Sequence, residues 1–188
     1  MAPSVGESAD GPPTHPASSD GTTVRTVPLV WRHRESEAPG DGEPAADTWE
    51  SEVQGSAEAS WRWHDSVHHL AYRDPGEATA GDAAGEDTRT VLRIEPGSLT
   101  MSRFGAVRWN HTWVLGQRRT SVLHAGGLAL SIETHTHHWR VAIGPDGGVV
   151  EVTYELRVNG ALRVVSLQIR FGQEVLGDET TGDRRGET

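Results

Sequence analysis

Cysteine and lysine are both missing from these 188 residues. The first absence removes any disulfide framework and any thiolate zinc or iron–sulfur site, and it suits a reducing compartment. The second leaves 17 basic residues that are all Arg; with only four Ile beside them, the usage reads as a GC-rich genome rather than a physical choice. No stretch approaches the ~18 apolar residues of a membrane-spanning helix. Residues 1–10 have neither the basic start nor the apolar run of a secretory leader, so the expected location is the cytoplasm, with no membrane partner. Helical spacing of apolar residues with caps is absent too. So are Gly-x-Gly-x-x-Gly, a phosphate loop, Gly-x-Ser-x-Gly and His-Glu-x-x-His, and no enzyme is predicted.

What is present is unevenly spread. The formal charge is −10, yet residues 88–172 hold five acids against ten Arg, a net +5, which leaves −15 for the remainder. The acids crowd into stretches rich in Gly, Pro, Ala and Asp at 1–21, 35–48, 74–87 and 173–188. Such composition cannot bury enough apolar surface to offset chain entropy. The expectation is therefore one domain over 22–172, with acidic loops at 35–48 and 74–87 and disordered tails at 1–21 and 173–188.

Between these stretches the apolar residues recur with period two, the signature of half-buried strands. In 150–158 the even positions Val150, Val152, Tyr154, Leu156 and Val158 are apolar and the odd ones polar. Asn159-Gly160 follows, a strong hairpin signal because both residues tolerate positive φ. The return strand, 161–171, aligns Val165, Leu167, Ile169 and Phe171. Further strands are expected at 24–34, 49–60, 64–73, 88–94, 98–104, 106–115, 119–125 and 128–143. In the last of these the apolar parity is even at Leu130 and Ile132 but odd at Trp139, Val141 and Ile143, which requires a bulge near 134–138. The fold class is all-β: an antiparallel meander of about 8–10 short strands, closed into a barrel because a sheet with one apolar face must hide its edges.

Several stretches resemble the small bacterial proteins of the YwiB type, a domain-of-unknown-function family with a calycin-like, lipocalin-like barrel. They are Arg103-Phe-Gly105-Ala-Val107-Arg-Trp109, Gly127 with Leu130, and Glu133-Thr-His-Thr136. The longest run is Gly147 to Gly160, followed by Leu167-Gln-Ile169-Arg-Phe171. The likeness covers about 49–172 and is strongest from 98 onward. It implies the barrel fold and supplies no activity. This chain departs from the family where it carries Trp109-x-His111-x-Trp113 in place of Met-x-Gln-x-Phe, and its insert at 74–87 is long.

Function is sought in the barrel interior. On parity, Val107, Trp109, His111, Trp113, Tyr154 and Leu156 line it, with Arg103 available for an anionic group if it points inward. A hollow barrel of this kind holds a small hydrophobic or amphipathic ligand in a cavity on the order of 300 Å³. The alternative is a solid barrel, since side chains can fill an interior of ~8 strands, with a protein or RNA bound on its outer face. Nucleic acid is disfavoured because Arg108 and Trp109 point to opposite faces. No cofactor is expected. Ten His still raise two options: haem ligated by His111, or a metal at His135 and His137, whose side chains stand roughly 7 Å apart on one strand face.

Overall fold

In β9 (Gly147–Val158) and β10 (Ala161–Gly172) the apolar alternation becomes burial: Val150, Val152 and Tyr154 on one strand, and Val165, Leu167, Ile169 and Phe171 on the other, all face inward. Asn159 and Gly160 join them with φ of 50° and 84°, the left-handed pair that a tight hairpin demands. The computed structural model describes residues 23–37, 49–74 and 88–176. The tail 1–21, the bulk of both acidic loops and residues 177–188 lie outside the described residues.

The remaining strands are β1 (Thr23–Glu37), β2 (Ser51–His64), β3 (Val67–Asp74), β4 (Thr88–Glu95), β5 (Ser98–Phe104), β6 (Val107–Val114), β7 (Arg118–Ala125) and β8 (Leu128–Gly144). Each pairs antiparallel with its sequence neighbours, and β1 closes against β10, so ten strands form a closed meander barrel. β1 has 15 residues because it must serve both partners. Pro28 falls just before the β10 pairing begins at Leu29↔Phe171, where β1 is paired on one side only and a missing N–H is tolerated.

The expected bulge is present. Register along β8–β9 shifts between Thr136 and His138, so Ile132, Thr134 and Thr136 face inward before it and Trp139, Val141 and Ile143 after it. β8 thereby reaches 17 residues without exposing its apolar side, one residue beyond the expected 128–143.

Three boundaries differ from expectation. The β2–β3 turn lies at 65–66, where Asp65 adopts φ of 51°, so 61–64 belongs to the outgoing strand. Asp-Ser is a weaker turn signal than Asn-Gly, although Asp tolerates this conformation. Residues 35–37, expected in the acidic loop, are paired strand: Glu35 lies opposite Val165 and Ser51. Ladder pairing, to both neighbours at Glu35 and to β10 at Ser36 and Glu37, outweighs local composition there. After β10, where a tail was expected, one helical turn α1 (Gln173–Leu176) packs against β1, β9 and β10, and the Gln173 N–H donates to the Asp146 carbonyl at 3.0 Å.

The outer wall is laced by cross-strand ion pairs such as Arg34–Glu52 at 2.8 Å and Arg140–Glu151 at 3.2 Å. No helix among the described residues is long and apolar enough to cross a membrane.

Candidate functional site

Trp109, His111 and Trp113 alternate inward along β6, and the barrel brings them onto one another. His111 stacks on Trp109 with centroids 5.2 Å apart, meets the Trp113 edge at 4.8 Å, and Trp113 reaches Tyr154 of β9 at 5.3 Å. Leu156 packs against the same core, and Val107 lies at the half-buried start of β6. The interior expected to be lined by these residues is instead filled by them. Trp61, which parity on β2 also places inward, is buried with them and with Phe171.

His111 is held at both nitrogens, Nδ1 to Ser121 Oγ and Nε2 to Thr134 Oγ1, each at 2.8 Å. Trp109 Nε1 donates to the same Ser121 oxygen at 2.9 Å. In the neutral imidazole one of these nitrogens donates and the other accepts, so both are engaged. Burial, with the charge of Arg119 in support, lowers His111 to about 4. A neutral imidazole with both nitrogens engaged is a packing element, and ligation of haem iron would require breaking one of these bonds.

The opposite character appears where β1, β3 and β5 end at one rim. Arg103 does point inward, and its guanidinium donates to Asp74 at 2.9 Å. Its charge and that of Glu35 both reach His33, whose imidazole burial holds below its usual range, while His33 Nε2 lies 3.6 Å from Glu35. Burial, with Asp74 beside it, pushes the Tyr72 hydroxyl up to about 12; burial and the Glu35 charge push Tyr154 up as well. Arg103 Nε, Trp31 Nε1, Trp113 Nε1 and Thr136 Oγ1 are buried without a hydrogen-bond partner among the described residues. The rim admits water, because Val53, opposite His33 on the inward face, remains 39% exposed.

Of this polar mouth, sequence reasoning identified Arg103 and Tyr154 and missed His33, Glu35, Tyr72 and Asp74. The signal existed. Val27, Leu29, Trp31, His33 and Glu35 keep strict period two, but the acids of Glu35 and Asp74 merged into the neighbouring acidic stretches. His135 and His137 lie elsewhere, on the outer wall of β8 beside Glu155 of β9.

Comparison with known proteins places this geometry. A family model described as "Domain of unknown function (DUF1934)" matches residues 46–170. The ywiB protein from Bacillus subtilis, known from its crystal structure, superposes with a TM-score of 0.61 at 17% identity, over 82% of this chain and 97% of that one. No curated protein matches the sequence. The family match leaves out β1, the strand that closes the barrel and carries Trp31, His33 and Glu35.

Proposed function

Because the chain belongs to the DUF1934 family of domains of unknown function, realised here as a closed β-barrel, we propose that it is a non-catalytic binding protein whose small amphipathic ligand sits at the polar mouth. The observation that carries this reading is the pair of inward donors, Arg103 Nε and Trp31 Nε1, buried without an acceptor among the described residues. A buried donor left unpaired costs about 1–3 kcal/mol, which an arriving acceptor relieves. The packed aromatic row of β6, which begins beside Arg103 at Trp109, serves as a scaffold, and Val53 and Leu156 offer apolar surface to the ligand's body.

Charge selects the head group. Asp74 already offsets Arg103, Glu35 adds a second carboxylate, and His33, held low by burial, stays neutral at pH 7. The ligand head is accordingly neutral with an acceptor oxygen, and a carboxylate is disfavoured. This revises the expectation that Arg103 would meet an anion. Titration of tryptophan fluorescence with decanamide, decanol and decanoate at pH 7.5, alongside native mass spectrometry, tests it. The neutral amphiphiles should bind one to one, decanoate at least ~10-fold more weakly, a difference of about 1.4 kcal/mol. Trp31→Phe, and Arg103→Met combined with Asp74→Asn so that no charge is stranded, should each weaken binding. Absence of binding by all three, with no co-purified small molecule, refutes the reading.

A second reading, a solid-core interaction module, is favoured by Phe104 and Leu128, 54% and 65% exposed at the strand ends of the same rim. A protein partner there would lose affinity on Phe104→Ser or Leu128→Ser while amphiphile binding persists. Fluorescence anisotropy with single-stranded RNA at ~50 mM salt tests the nucleic-acid form, which no binding would remove.

A further inference from the structure

The β-bulge that preserves the inward parity of β8 also assembles a set of metal-type donors on the outer wall, on the opposite face of the sheet from Tyr154 and Leu156. In a regular strand His135 and His137 would simply be neighbours on one face, with His138 turned inward. Here His135 lies directly opposite Glu155, and His137 is the residue left out of the pairing between Thr136 and His138. The ladder does not constrain His137, and its imidazole swings back toward β9. His137 Nε2 lies 3.2 Å from Glu155 Oε1, and His135 Nδ1 lies 3.8 Å from Glu155 Oε2. The two rings stand edge to face at 4.3 Å.

From this arrangement we infer that His135, His137 and Glu155 form a binding site for a divalent transition ion of the zinc class. One ligand atom from each residue lies within 4.8 Å of the others. Tetrahedral ligation at bonds of ~2.0–2.1 Å sets ligand atoms about 3.3 Å apart, so the set needs only side-chain adjustment to close on an ion. Two imidazoles and one carboxylate suit Zn²⁺, Ni²⁺ or Cu²⁺ over Mg²⁺ or Ca²⁺, which prefer oxygen alone.

A fourth position is available as well. A recess of about 10 Å³ adjoins the site, lined by His135 and Glu155 together with Arg118, Glu133, Thr134, Arg157 and Leu162. That is room for roughly one water molecule. Three protein ligands with a water in the fourth place is an open site, one that can exchange its water for a small anion. The bound ion also ties β8 to β9 at the one place where their ladder is interrupted, so it should raise thermal stability.

The test uses the full, untagged chain, freed of metal by chelation and titrated with Zn²⁺ by calorimetry. One equivalent should bind saturably, with affinity at least ~10-fold lower in His137→Ala and Glu155→Gln, since even outer-shell changes at such sites cost 10–100-fold. His124→Ala and the combined His64→Ala, His68→Ala should leave it unchanged. Circular dichroism verifies that the exposed-site variants remain folded. Cu²⁺ resonance spectra of the wild type should show coupling to two imidazole nitrogens, reduced to one in His137→Ala. No saturable binding, equal binding in the His137 and Glu155 variants, or binding abolished only by the His64 and His68 changes would each overturn the site.

Discussion

The indole of Trp31 on β1 lies flat against the bare Cα of Gly55 on β2, its directly opposed residue. A Cβ built on that glycine would stand 2.5 Å from Cε2 of the ring and 2.9 Å from Nε1. Gly55 is thus glycine for close approach, since its φ is ordinary, and the ring occupies the space a side chain would need.

Gly55→Ala should therefore destabilise the barrel by about 1–3 kcal/mol, the usual range for overpacking a filled interior. Combining it with Trp31→Leu should recover part of the loss. Urea denaturation of the two single variants and the double variant gives the coupling, and strictly additive values would contradict the close approach.

Trp61 and Trp113 are both fully buried but differ in how their N–H groups fare. Trp61 Nε1 donates to His68 Nδ1 at 3.3 Å, whereas Trp113 Nε1 has no acceptor among the described residues. Replacement by Phe removes similar volume from each, so Trp113→Phe should be milder than Trp61→Phe by about 1 kcal/mol. Equal losses in denaturant midpoints would mean that Trp113 has a partner in solution.

Acid should weaken the fold through His111. Its folded value of about 4 lies below the ordinary 6.5, so the unfolded chain binds the proton first as pH falls. The stabilisation is complete above about 6.5 and lost as pH drops from there toward 4. At pH 5 the loss relative to pH 7.5 reaches about 2 kcal/mol from this residue alone. His33 and His68, also lowered chiefly by burial, act in the same direction. His111→Gln should flatten the pH dependence of stability by that amount, read from denaturation curves at the two pH values.

Removing the bulged residue should be tolerated far better than removing its neighbour. Deletion of His137 leaves Thr134, Thr136, Trp139, Val141 and Ile143 all inward, because the extra residue is the one withdrawn. Deletion of Arg140 turns Val141 and Ile143 to the outer wall, exposing two side chains worth about 1.5–3 kcal/mol each when fully buried. The first variant should remain cooperatively folded and the second should lose about 3 kcal/mol or more.

Much of the fold was legible because alternation is a local property. Val150, Val152 and Tyr154 declare their face within one strand, and Asn159-Gly160 declares its turn through backbone preference alone. Even the bulge could be read from the slip between Ile132 and Trp139, since no regular strand can hide both. The errors arose where a local signal was diluted: Glu35 at the end of β1 reads as acidic loop until β10 and β2 are seen to pair with it. The aromatic row on β6 was read correctly as inward, and family likeness supported the barrel.

The sequence by itself thus determined the strands, most of their turns, their inward faces and the all-β class, because each depends on residues within a few positions of one another. Closure was decided by tertiary structure, and with it everything that depends on distant strands meeting. His33 feels Arg103 from four strands away. Tyr154 feels Glu35, and His111 spends both nitrogens on β7 and β8. Whether the interior is hollow or filled is likewise a matter of volume, set by how side chains from all ten strands interdigitate, and parity along any one strand carries no information about volume.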